Sequence, residues 1–83
     1  MSSRLPTLTP KQVLKALTKR KAGFYLCHTS SSGSHIHLCH PDDPTILVDI
    51  PMHAQDLKRG TLQSILKQAK LTREEFLKIL RDP

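Results

Sequence analysis

Eighty-three residues with 13 Lys+Arg against 7 Asp+Glu, a formal net charge of +6 and 37% apolar content describe one small basic domain. A chain of this length buries only about 60% of the surface its unfolded form exposes, which excludes a deep cleft between two domains. No apolar run reaches the roughly 20 residues of a membrane span and the N-terminus lacks the apolar stretch of a secretory signal, so a soluble, cytoplasmic protein is expected.

Residues 1–8 show no periodicity and contain Pro6, and are read as a flexible lead-in to a single domain over 9–83. Thr9-Pro10-Lys11-Gln12 has the pattern of a capping box with proline at the first helical position. Val13, Leu14 and Leu17 then give a short apolar stripe, and Gly23 is placed to end the helix near Ala22. From Phe24 the period changes to two. Phe24 and Leu26 fall on one side and Tyr25 and Cys27 on the other, and His35 to Cys39 alternates again after the turn-forming Ser30-Ser31-Ser32-Gly33. Pro41 to Pro44 is a second turn, and Ile46 to Ile50 predicts a third strand ending at Pro51.

Leu62, Ile65, Leu66 and Ala69 stand at the spacing of one helix face. Thr72-Arg73-Glu74-Glu75 is a second capping box, with Leu71 and Phe76 as its staple pair and Leu77, Ile79 and Leu80 as the buried side of a last helix. The order helix, three antiparallel strands, helix, helix predicts an α+β fold with the helices on one sheet face. The period of two then sends Tyr25, Cys27, His35, His37, Cys39 and Asp49 to the open face.

Charge is distributed unevenly. Met1 to Gly23 holds Arg4, Lys11, Lys15, Lys19, Arg20 and Lys21 and no acid, whereas basic and acidic residues balance over the remainder. Lys11, Lys15 and Lys19 recur at i, i+4, i+8, a basic stripe suited to phosphates, and nucleic acid is the commonest partner of such a field. Cys27 and Cys39 are too few for a disulfide scaffold, and free thiols are expected. Zinc held by Cys27, His35, His37 and Cys39 is the rival use of the open face. Ligands alternating along flat strands do not wrap a tetrahedron, so no metal or cofactor is expected.

A basic helix ending in Gly23-Phe24, then Gly33-Ser34-His35, Ile50-Pro51-Met52-His53 and Gly60-Thr61-Leu62-Gln63-Ser64-Ile65-Leu66 recur in one order over residues 9–80. In these segments the chain resembles the HicA family of small toxins. The resemblance implies a fold like the double-stranded RNA-binding domain and the toxin role of a type II toxin-antitoxin system. It also implies metal-independent endoribonuclease cleavage of mRNA, a HicB-type antitoxin partner, and His35 as the catalytic residue. An imidazole near neutral pKa can take the proton of a ribose 2′-OH, whose oxygen then attacks the adjacent phosphorus without a metal.

Gly33 and Ser34, through their amides and the Ser34 hydroxyl, are expected to meet that phosphate. His37 is an auxiliary candidate, and His53 is read as structural. Relatives carry a cation before Gly-Ser-His where this chain has Ser30-Ser31-Ser32, so Lys58, Arg59 or the first helix, with Arg20 and Lys21 at its end, is expected to supply the missing charge. With 4% aromatic residues, base stacking contributes little. The chain is expected to act as a monomer away from membranes. The alternatives are a non-catalytic RNA-binding module of the same fold and a small zinc-bound interaction protein.

Overall fold

The computed structural model describes residues 5–53 and 55–82. The lead-in residues 1–4 and the terminal Pro83 lie outside the described residues. Three helices and three strands follow in the order α1 (Pro10–Leu17), β1 (Tyr25–Thr29), β2 (His35–Cys39), β3 (Leu47–Pro51), α2 (Arg59–Gln68) and α3 (Arg73–Arg81). The strands form an antiparallel meander in the order β1-β2-β3, and the fold is α+β.

Both capping boxes form. Thr9 accepts from the Gln12 amide while the Gln12 side chain accepts from the Thr9 amide, and Thr72 and Glu75 reciprocate in the same way at α3. Leu8, at the end of the segment read as a lead-in, is buried, and its carbonyl accepts the Leu57 amide at 2.8 Å. The first helix stops at Leu17, well short of the Ala22 expected from Gly23. Thr18 turns its hydroxyl back onto the Leu14 carbonyl at 2.8 Å, and the chain leaves through turns that end at Gly23 with φ +81°.

Val13, Leu17, Leu38, Val48, Ile50, Leu62, Ile65 and Phe76 make the centre of the core, so β2 and β3 bury one face against the helices as their alternation requires. Strand β1 departs from that pattern. Phe24 is buried just before it, but Leu26, expected on the covered face, is 54% exposed although its partner Leu38 is fully buried. Helices α1 and α2 meet the sheet through β3, and β1 overhangs at the far edge. A bulge between Leu26 and His28 breaks its register with β2, and Cys27 is the residue it displaces.

That displacement overturns the expectation of free thiols. Cys27 and Cys39 form a disulfide with Cα atoms 5.8 Å apart, within the ordinary range for such a bond. In a regular ladder Cys27 would stand opposite His37. The bulge pairs His28 with His37 instead, and Cys27 bonds Cys39, two residues beyond His37 on the partner strand. No helix among the described residues is long and apolar enough to cross a membrane.

Candidate active site

His35 opens β2, immediately after a turn that the sequence builds from serines and a glycine. Gly33 takes φ +76°, and its amide donates to the Ser30 carbonyl at 2.9 Å. The Ser30 hydroxyl accepts the His35 amide at 3.2 Å, which fixes where the strand begins. The Ser34 amide reaches the Ser32 hydroxyl at 3.4 Å, and the two hydroxyls are 2.8 Å apart. The Gly33 and Ser34 donors expected to meet a phosphate are therefore engaged in closing this turn. Ser34 contributes its carbonyl instead, which accepts from the Met52 amide at 2.7 Å and lies 3.5 Å from Nδ1 of His53.

In the β2–β3 register His37 faces Asp49 and His35 faces Pro51. The period of two places all three polar side chains on one face, with Asp49 diagonal to His35. Asp49 Oδ1 lies 3.1 Å from His35 Nδ1, and the two side chains are 37% and 44% exposed. An ionised carboxylate there accepts from Nδ1–H, so Nε2 carries the lone pair and is available to take a proton. Asp49 is itself located by α2, because its amide donates to Gln68 Oε1 at 2.8 Å.

This pair lies on a cleft of about 330 Å³, whose other wall is α2 through Gly60, Thr61, Ser64 and Gln68. Lys58 is the N-cap of α2, and no side chain caps that end. First-turn amides and the positive end of the helix dipole therefore border the cleft beside His35, an arrangement that favours an anion. Exposed Lys58 and Arg59 add two cations at the same helix end. These are the substitutes the sequence offered for the cation missing before Gly33.

Four of the five histidines fall into two pairs. The rings of His35 and His53 have centroids 5.5 Å apart, and those of His37 and His28 are likewise 5.5 Å apart. His37 shares the face of His35 but stands with His28, while His53, read from the sequence as structural, is the imidazole recorded against His35. Asp49, Gln68 and the backbone amides at the start of α2 had no role in the sequence reading, which offered only Lys58 and Arg59 there. Asp49 could be placed on the open face by alternation alone, but its pairing needed the register.

The basic stripe is divided as well. Lys11 and Lys15 are exposed on α1, and Lys15 borders a groove with Leu80 of α3, not the His35 cleft. Lys19 lies beyond the end of α1, and its ammonium donates to the carbonyls of Ile79, at 3.0 Å, and of Asp82, so it serves the C-terminus of α3. Arg20 and Lys21 are exposed in the turns that follow.

The zinc reading loses two ligands because Cys27 and Cys39 are bonded to each other. Among the described residues no group of three or more His, Cys, Asp or Glu side chains is placed to hold a metal ion.

A family model described as "HicA toxin of bacterial toxin-antitoxin" matches residues 10–71, which spans α1, the whole sheet and α2. The chain belongs to the HicA toxin family. It is a toxin of a toxin-antitoxin system, with an antitoxin as its partner. Comparison with curated proteins found no match. The match to the HicA family covers His35, Asp49, His53 and the first turn of α2, so the entire cleft lies within the family's common region.

Proposed function

We propose that this HicA-family chain is a metal-independent endoribonuclease that cleaves mRNA in the cytoplasm and is held inactive by a HicB-type antitoxin covering the open sheet face. The observation that carries this reading is the His35–Asp49 pair on a cleft whose opposite wall is the uncapped end of α2. A phosphodiester seated at that end meets amide donors, Lys58 and Arg59 on one side and the imidazole on the other.

Nε2 of His35 takes the proton from the ribose 2′-OH. The O2′–P bond forms as the P–O5′ bond breaks, and the departing O5′ receives a proton, leaving a 2′,3′-cyclic phosphate and a 5′-hydroxyl. His53, beside His35, is assigned the proton donor in preference to His37. Charge gathering on the phosphate in flight is met by the α2 amides and by Lys58 and Arg59. Lys11, Lys15, Arg20 and Lys21 contribute at longer range, drawing RNA toward the protein in a salt-dependent way.

The test is incubation of purified protein with a labelled mRNA in EDTA. Cleavage to cyclic-phosphate ends, lost in His35→Ala while gel retention of the RNA persists, is the expected result. RNA left whole by the wild type over hours, yet still retained, turns the assignment to the non-catalytic RNA-binding module.

A further inference from the structure

Helix α2 borders two clefts. Its N-terminus borders His35, and its C-terminus borders a larger cleft of about 480 Å³, in the size range of ligand sites. The two clefts share no lining residue, although Gln68 of the His35 cleft directly precedes Ala69 of the larger one. The floor of the larger cleft is apolar, made by Phe24, Ala69 and Ile79, which are all buried. Its rim carries Lys21, Lys70 and Lys78.

Among the described residues none of these three lysines is in an ion pair. The acids nearby are already engaged. Glu75, on the rim and near Lys78, accepts from the amide and hydroxyl of Thr72, and Asp43, near Lys70, accepts from the amide and hydroxyl of Thr45. His40 also lines the cleft, with its ring edge-to-face against Phe24 at 5.2 Å.

The backbone of Lys70 gives a second, independent observation. It holds φ +61°, and among the described residues it is the one non-glycine residue with positive φ. It stands just past the C-cap of α2 in a Schellman closure, with Leu71 N–H on the Leu66 carbonyl at 3.0 Å and Lys70 N–H on the Lys67 carbonyl at 3.2 Å. Glycine is the residue that position favours, and any side chain there costs about 1 kcal/mol or more. A lysine at that cost sets an ammonium on the cleft rim, and a sparsely populated backbone state held at a cleft points to use of the side chain.

We propose that this cleft binds an acidic segment of a partner protein, with one large apolar side chain of the segment on the Phe24–Ala69–Ile79 floor and its carboxylates on Lys21, Lys70 and Lys78. Charge complementarity selects an acidic occupant, and the apolar floor selects a peptide over a phosphate backbone, which has no apolar group to seat there. The segment sits on residues that do not line the His35 cleft, so the attachment is distinct from occlusion of the candidate active site.

The probe is a fluorescein-labelled capped heptapeptide with a single phenylalanine at the centre of six Glu/Asp residues. It is titrated at low salt, and its binding is mapped by amide chemical shifts. Expected shifts centre on Phe24, Lys70 and Ile79. Replacing the phenylalanine by serine weakens binding by about tenfold.

Lys70→Gly weakens binding by about two- to fivefold without lowering the melting temperature, because glycine relieves the backbone. The combination with Lys21→Gln and Lys78→Gln weakens it by more than about tenfold. Lys67→Gln, an exposed α2 lysine outside the cleft, is the control and leaves affinity unchanged. The proposal is overturned by no binding to the wild type, by shifts at His35 or α1 instead, or by equal losses in the Lys70 and Lys67 variants. Tighter binding of an oligouridylate at the same cleft also overturns it, by making the cleft a nucleic-acid site. None of these readouts depends on RNA cleavage.

Discussion

Gln68 accepts the Asp49 amide while the Asp49 carboxylate reaches His35, so one residue of β3 links the last turn of α2 to the imidazole at the start of β2. The chain of contacts ties the His35 imidazole to β3 and β3 to the α2 wall of the cleft. Asp49→Asn keeps the shape but presents an amide that no longer favours Nδ1–H, and it is expected to lower kcat for RNA cleavage by about 10- to 100-fold with little change in KM. The effect is placed below that of fully buried triads because this pair is partly solvated. Asp49→Glu should recover part of the loss. Gln68→Ala releases the amide contact and should raise KM more than it lowers kcat. Equal activity of Asp49→Asn and wild type in single-turnover assays removes Asp49 from the proposal.

Lys19 distinguishes a structural cation from one that meets RNA. Its ammonium satisfies carbonyls at the end of α3, 60 and 63 residues away in sequence, and it is half-buried in doing so. Lys19→Met keeps the aliphatic stem and removes the donor. It is expected to destabilise the fold by about 1–2 kcal/mol, a fall in melting temperature of about 4–8 °C per kcal/mol for a domain of this size. RNA retention by the folded variant should match wild type at equal salt, while Lys11→Gln with Lys15→Gln should weaken retention and flatten its salt dependence. The reverse pattern assigns Lys19 to the RNA surface.

Legibility in the sequence followed the range of the interaction. Both capping boxes and the limits of β2 were readable, because they are set by residues three or four positions apart and by strict alternation. Lys19 was placed on the α1 stripe because helical spacing runs on in the sequence past Leu17. The termination depends on the Thr18 hydroxyl choosing a backbone carbonyl, a local competition that spacing does not reveal. Leu26 obeyed its alternation and is exposed all the same, since nothing in β1 states that the helices stop short of it. Alternation put His35 and Asp49 on one face. Their pairing required the β2–β3 register, and the bulge that frees Cys27 from His37 has no turn residue to announce it.

The Cys27–Cys39 bond joins residues twelve apart and ties the overhanging edge strand to β2. Chain-entropy arguments give about 3 kcal/mol for a loop of this length. Cys27→Ser with Cys39→Ser, or the wild type in reductant, should lower stability by an amount of that order. Cleavage at room temperature should survive, because His35 and Asp49 are held by the β2–β3 pairing and by α2. Alkylation before and after reduction counts the thiols. A melting temperature indifferent to reductant, with no thiol to alkylate beforehand, would show that the cross-link adds nothing to the hairpin.

The carboxyl of Glu75 is held below its ordinary value of 4.5 by the amide of Thr72 and then by the Thr72 hydroxyl, with Lys78 adding a smaller push in the same direction. A carboxyl with a lower pKa folded than unfolded stabilises the fold above the unfolded value, and that contribution is lost as pH falls through 4.5 toward the folded one. Glu75→Gln preserves the shape of the capping box and an acceptor for the Thr72 amide but cannot ionise. At neutral pH the variant should therefore melt below the wild type, also losing the favourable placement of a negative charge in the first turn of α3. The two melting curves should converge as pH drops below 4.5, where the wild-type carboxyl takes up its proton and becomes the near-equivalent of the amide. A difference that stays constant across the same titration would mean that side-chain shape, and not charge, sets the strength of this cap.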